Sequence, residues 1–211
     1  VDWYGAPKIA HDFVRDAFAP LHACVLFDSV RTVGTPIDAP VLLLDDADAL
    51  EGKRWSVSVT AYDGGLREMH AETFRGEGAL DGPTQVGMLR LSFEQTDTSP
   101  LFVVAEVKRG RTRMDRTFYF LNYEHRRGCL FDLPPTELSL KLKRKRATVT
   151  NTGKRPAVGV TVERPGHADT FRVSNNSFWL DAGESATVDV NATEGVTVSA
   201  WNGERTSNIE H

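Results

Sequence analysis

Cysteine is scarce: Cys24 and Cys129 are the only two in 211 residues. Two thiols cannot build a disulfide scaffold, and without CxxC spacing they suit neither a zinc ribbon nor a redox pair. A single bridge between them is open, although burial as free thiols is the commoner fate of such residues. Long apolar runs are missing too. The longest, such as Pro40 to Leu44 and Leu101 to Ala105, are strand-length and far short of the ~18–20 residues of a membrane span. Net charge is -4 and the pI is about 5.9, unlike the basic balance of a general nucleic-acid binder. Neither nucleic acid nor a membrane is therefore an expected partner.

The chemistry-bearing motifs are equally thin. His11, His22, His70, His125, His167 and His211 stand apart, with no HxH or HExxH pair to hold a metal. The acidic stretch Asp45, Asp46, Asp48 and Glu51 lacks the glycine and spacing of an EF-hand loop and reads as a solvated connection. There is no GxSxG elbow, and Gly76-Glu77-Gly78 lies between strand-like runs, so it is a turn and not a phosphate cradle. Retaining glycoside hydrolysis needs two carboxyl groups about 5–5.5 Å apart. Among 29 acidic residues some pair always looks suitable, so that signal carries nothing. No catalytic residue, cofactor or metal is expected. The chain opens at Val1 without an apolar leader, and Asp2-Trp3-Tyr4-Gly5 reads as the interior of something longer.

What is present is periodicity. Ala10, Phe13, Val14, Ala17 and Phe18 fall at i, i+3, i+4, i+7 and i+8, which predicts one amphipathic helix ended by Pro20. From Ala23 the period becomes two: Trp55, Val57, Val59 and Ala61 alternate with Ser56, Ser58, Thr60 and Tyr62. Similar runs lie at 23–27, 41–44, 67–74, 86–93, 101–107 and 113–121. Gly64-Gly65, Gly76 to Pro83 and Ser99-Pro100 punctuate them as turns. Asp132-Leu133-Pro134-Pro135 stiffens the chain and excludes a central strand, so a domain boundary belongs there. A second set of runs follows at 138–142, 147–151, 158–163, 171–173, 177–180, 186–190 and 196–201. No helices separate the strands, so a parallel βαβ sheet is disfavoured. The expected fold class is all-β, two tandem immunoglobulin-like antiparallel β-sandwiches preceded by one short helix. The expected divisions are a helix or linker at 1–19, sandwiches at 20–133 and 134–204, and a polar tail at 205–211.

Three features have more than one reading. The basic run Lys141 to Arg146 could hold phosphates, but Leu138, Leu140 and Leu142 alternate with Ser139, Lys141 and Lys143 as in a half-buried strand with a solvated face. Trp3, Tyr4, Trp55, Tyr62, Trp179 and Trp201 could stack on sugar rings; Trp55, Trp179 and Trp201 sit in strand-like runs that favour the core. In Val196 to Asn202, period two puts Trp201 opposite Val196, Val198 and Ala200. It then covers a domain junction, unless a bulge turns it inward among Leu180, Val188 and Val190.

Three stretches resemble the C-terminal part of glycoside hydrolase family 2, in its β-mannosidase and exo-β-glucosaminidase branch. Asp2 to Lys8 through Ala17-Phe18-Ala19-Pro20 resembles the segment that ends the catalytic barrel and leads into an immunoglobulin-like domain. Arg116 to Leu121 resembles the strand that closes the penultimate domain. Ser174 to Ser185, with Val198 to Asn202, resembles the terminal domain's phenylalanine-bearing strand, its Gly-Glu-Ser turn and its last strand. The departures are Ala6, where family members often carry arginine, and Ile9 to Phe13 in place of a tyrosine-rich run. The resemblance implies that the catalytic glutamates sit on a (β/α)8 barrel preceding Val1, so none carries over to this chain. It implies a non-catalytic C-terminal accessory module of a β-mannosidase-like retaining exo-glycosidase. The barrel would be its partner, with weak carbohydrate contact, and Phe13, Val14, Phe18 and Trp201 would be the domain-interface residues. The alternative is a free-standing carbohydrate-binding or adhesion module.

Overall fold

The structure is a computed structural model that describes residues 8–27, 30–31, 35–92, 100–123 and 128–207. Helix α1 spans Ile9–Ala17, with Asp12 near its N-terminus and Arg15 near its C-terminus, the signs that suit the helix dipole. Eight strands follow: β1 (Leu21–Val25), β2 (Val30–Arg31), β3 (Ile37–Asp45), β4 (Arg54–Tyr62), β5 (Glu68–Glu77), β6 (Thr84–Leu91), β7 (Leu101–Arg109) and β8 (Thr112–Tyr123). A short 3-10 turn at Cys129–Asp132 precedes seven more: β9 (Leu138–Lys143), β10 (Arg146–Asn151), β11 (Ala157–Glu163), β12 (Phe178–Leu180), β13 (Ser185–Asp189), β14 (Thr197–Ala200) and β15 (Gly203–Ser207). Contacts divide the chain into two compact units, Asp16–Asp132 and Leu133–His211 together with the residues up to Arg15. The all-β, immunoglobulin-like reading holds.

In the first unit one sheet has the order β1-β3-β6 and the other β2-β8-β7-β4-β5. Pairing is antiparallel except where β2 runs parallel to the end of β8 for two residues, a pair too short to be legible in the sequence. The alternating runs close on one core: Ala39, Val41 and Leu43 from β3, Val57, Val59 and Ala61 from β4, and Val103, Ala105 and Val107 from β7. Trp55 packs at the edge of this core. Its indole lies on Gly76, where a Cβ would come within 2.2 Å of the ring, so only glycine leaves room for it.

Strand β1 is an edge strand, and its free side is satisfied by side chains of β8 in place of a backbone ladder. Asp115 accepts from His22 Nδ1 (3.0 Å) and from the Ala23 amide (3.4 Å). Tyr119 Oη accepts from the Val25 amide and donates to the Ala23 carbonyl, both at 3.3 Å. Burial, reinforced by the neighbouring Cys24 thiol, pushes the Tyr119 phenol well above its ordinary value. The folded form therefore keeps that proton after the unfolded chain has lost it near pH 10, so stability from this group is full below about pH 10 and falls above it. Tyr119→Phe should cost about 1–3 kcal/mol at neutral pH, because it strands a donor and an acceptor. The variant should also lose less stability between pH 9 and 11 than the parent. Urea denaturation across that range checks both, and parallel alkaline slopes for the two proteins would contradict the assignment.

In the second unit the sheets have the orders β13-β10-β9 and β12-β11-β14-β15. Their shared core takes Leu138, Leu140, Val149, Val160, Leu180, Val188 and Val198. Two buried asparagines tie its loops together. Asn151 Oδ1 accepts from Thr136 Oγ1 (2.8 Å) and Gly153 N (3.1 Å), while Nδ2 faces the carbonyls of Arg155, Leu180 and Asp181 at 2.8–3.2 Å. Asn202 Oδ1 accepts from Val158 N (3.0 Å), and its Nδ2 donates to the Pro134 and Pro156 carbonyls, both at 2.9 Å. The structure departs from the sequence reading in two places. The run at 171–173 contributes only an isolated bridge, Val173 to Val190. Residues 205–207, expected in the tail, belong to β15, because the turn through Trp201 and Asn202 returns the chain along β14. The tail beyond Ser207 lies outside the described residues, as do Trp3, Tyr4 and the rest of the Asp2 to Pro7 motif.

Candidate functional site

Helix α1 supplies two of the four expected interface residues, Phe13 and Val14, and its geometry within the second unit reverses the usual arrangement. At 100° per residue, Asp12, Arg15 and Asp16 share one side, while Ala10, Phe13, Val14 and Ala17 share the other. The polar side is the one that docks. Asp12 Oδ2 accepts from Ser177 Oγ (2.7 Å), and Arg15 Nη2 donates to Asn175 Oδ1 (2.7 Å) and the Asn176 carbonyl (3.4 Å). Arg15 Nη1 also bonds Asp12 Oδ1 at 3.3 Å, which orients both side chains. The receiving loop is fixed in turn. Asn176 Oδ1 accepts from the Val162 amide (2.7 Å) and its Nδ2 donates to the Val162 carbonyl (3.3 Å), so the side chain imitates a strand beside β11. Ser177 is buried and holds a left-handed backbone (φ 60°), a strained conformation for a non-glycine residue that this network maintains.

The apolar side of α1 is left outward. Val14 is 56% exposed and Phe18, just past the helix, is 84% exposed, while Phe13 is half-buried. Trp201 lies in the β14–β15 turn, half-buried and outside the core cluster, with its amide donating to the Val158 carbonyl at 2.8 Å. Its indole covers Gly159, whose φ of +59° and missing Cβ both matter. An added Cβ would lie 2.3 Å from Trp201 Nε1. The four expected residues are thus three positions on or beside α1 and one aromatic over β11. The polar partners Asp12, Arg15, Asn175 and Ser177 were not singled out from the sequence, since no spacing rule joins residues 165 positions apart.

The remaining candidates resolve into structural roles. Trp179 is buried and donates from Nε1 to Asp181 Oδ1 at 2.9 Å; Tyr62 is half-buried. Asp45, in the acidic stretch, spends both carboxylate oxygens on the Ala49 and Leu50 amides at 2.9 and 2.8 Å, so it holds its own turn. The buried Glu106 carboxylate is met by Lys108 Nζ (2.5 Å), Arg116 Nε (3.3 Å) and Arg113 Nη1 (3.4 Å). Cys24 and Cys129 are free thiols, the first half-buried and the second buried. Among the described residues no three His, Cys, Asp or Glu side chains gather as a metal ion would need. No helix there is long and apolar enough to cross a membrane.

Two tandem immunoglobulin-like sandwiches with a leading helix define the class, and comparison with known proteins narrows it. Residues 133–207 match the family model of the Ig-fold domain of mannosidases. No curated protein sequence is significantly similar to the chain. The crystal structure of the exo-chitosanase CsxA of Amycolatopsis orientalis superposes with a TM-score of 0.75 at 15% identity, covering 97% of this chain and 28% of that one. Its complex with PNP-β-D-glucosamine, in a variant form, gives a TM-score of 0.74 at 16% identity with the same coverage. The structure describing inhibition of the exo-β-D-glucosaminidase CsxA gives 0.71 at 15%, again covering 97% and 28%. The chain therefore spans less than a third of the length of these neighbours, and at such identity the likeness is one of fold. The resemblance to the C-terminal immunoglobulin-like domains of a family 2 glycoside hydrolase holds.

Proposed function

We propose that the chain is the non-catalytic C-terminal accessory module of a retaining exo-glycosidase acting on terminal β-linked sugars, with a β-mannosidase-like parent. Its role is to buttress the catalytic barrel. The observation that carries this reading is the reversed helix: α1 is held by its polar side, while Val14 on its other side and Phe18 just past its end stay exposed. Apolar surface of this kind on an ordered helix marks a protein contact. Phe13 completes the stripe, and Trp201 offers a broad ring with one N–H, suited to a half-wet junction. The family match over residues 133–207 and the fold likeness to an exo-glycosidase support the same assignment.

On this reading the purified chain does not hydrolyse nitrophenyl β-mannoside, β-glucosaminide or β-galactoside, because paired glutamates belong to the barrel. Turnover that survives repurification and vanishes on replacing a single Asp or Glu would overturn it. Val14→Asp with Phe18→Asp should leave the chain's own melting curve within about 0.5 kcal/mol of the parent, since both sites are solvent-facing. The same pair should abolish co-purification with the catalytic part of the parent enzyme when the two are co-expressed.

A further inference from the structure

The outward face of the β9-β10-β13 sheet carries a charge pattern that an accessory role does not use. Along these strands every second residue enters the core, and the residues between them are all polar. The register aligns Lys143 with Arg146 and Asp189 in one row, and Lys141 with Thr148 and Thr187 in the next. The hairpin joining β9 to β10 adds Arg144 and Lys145, with Arg144 in a left-handed turn (φ 56°). All five cations are exposed. Only Arg146 has a carboxylate partner, Asp189 at 3.4 Å; among the described residues Lys141, Lys143, Arg144 and Lys145 pair with none. Four unpaired cations thus gather at one end of one sheet in a chain whose net charge is -4.

Next to them lie paired hydroxyls. Thr148 Oγ1 and Thr187 Oγ1 are 2.9 Å apart, and Thr150 Oγ1 and Ser185 Oγ are 2.7 Å apart. In each pair one hydroxyl donates to the other, leaving one O–H donor and several lone pairs directed to solvent. Strand spacing of about 4.8 Å and an i to i+2 spacing of about 6.7 Å set these groups on a regular grid.

We propose that this face binds an acidic polysaccharide, with carboxylate groups on Lys141, Lys143 and Lys145 and ring hydroxyls on the threonine rows. The face carries no aromatic side chain on which bases could stack. It also has no large apolar side chain to insert into a bilayer. Hydroxyl pairs beside spaced cations match a chain bearing both hydroxyls and carboxylates.

The test is binding of the full chain to immobilised polygalacturonate, with dextran, single-stranded DNA, double-stranded DNA and phosphatidylserine vesicles as comparators. Saturable, salt-sensitive binding to polygalacturonate and none to dextran is expected. Substituting K141Q, K143Q and K145Q together should weaken it about tenfold or more. An equal charge change elsewhere, K53Q with R75Q and R111Q, should leave it unchanged. Replacing T148V with T187V keeps every charge and strand propensity; it should weaken polygalacturonate binding and leave any residual DNA binding untouched. All these positions are solvent-facing or half-buried, and circular dichroism verifies the fold of each variant. Absence of binding at low salt, equal weakening by the control triple, or equal or tighter binding to DNA or to vesicles would overturn the proposal.

Discussion

Replacing Asn151 by alanine is expected to destabilise the second unit by about 3–5 kcal/mol, near the upper end of single-substitution effects. The side chain is fully buried and meets five groups: a hydroxyl, an amide and three carbonyls. It has only two N–H donors for the three carbonyls, so one bond is shared. Alanine would remove the donor to the Leu180 and Asp181 carbonyls and the acceptor of the Thr136 hydroxyl, leaving the Gly153 amide on the Glu137 carbonyl and the Arg155 carbonyl on Thr136 Oγ1. Asn151→Asp should cost a comparable amount by a different route, because a carboxylate would face the same carbonyls with no proton to offer. Urea denaturation followed by a probe of the second unit checks both. A loss under about 1 kcal/mol for the alanine variant would mean that water replaces the amide at little cost.

Gly159→Ala should rank second, at about 3 kcal/mol. A left-handed backbone costs an alanine about 1–2 kcal/mol. The rest arises because the new methyl would sit 2.3 Å from Trp201 Nε1, so the indole must leave its place over β11. Trp201 emission should shift to the red in this variant. Removing the indole as well, in the double variant with Trp201→Ala, relieves the overlap but not the backbone strain. The two substitutions should therefore be less than additive by 1 kcal/mol or more. Full additivity would mean that the indole and the glycine do not press on each other.

Much of the fold was legible because it is written in a local period. The alternations in 55–62 and 101–107 put Val57, Val59, Val103 and Ala105 into the core of the first unit, and 138–142 does the same for the second. The helix at Ile9–Ala17 was legible from its 3.6 period. Its docking was not: pattern rules describe which side of a helix is apolar, whereas the side that binds here is chosen by Asp12 and Arg15 meeting Ser177 and Asn175. Asn151 and Asn202 were equally silent, since an asparagine at a strand end reads as a turn residue until its partners are known. The β15 strand was hidden by its polar composition, which suits an edge and resembles a tail. The hydroxyl rows of β10 and β13 needed the register before Thr148 and Thr187 could be placed side by side.

The bond between Asp12 and Ser177 closes a loop of 165 residues, and that length has a consequence in time. During synthesis the helix emerges while the loop that receives its polar side is still untranslated. At about 5–20 residues per second the wait is roughly ten to thirty seconds. For that interval Val14 lies in, and Phe18 just past, a segment of nine residues, too short to hold a helix alone. The intervening residues, Asp16 to Asp132, form a compact unit of their own and can fold during the delay. The last sandwich then captures a segment made long before it, and the ribosome's pace becomes part of how this end of the molecule is assembled.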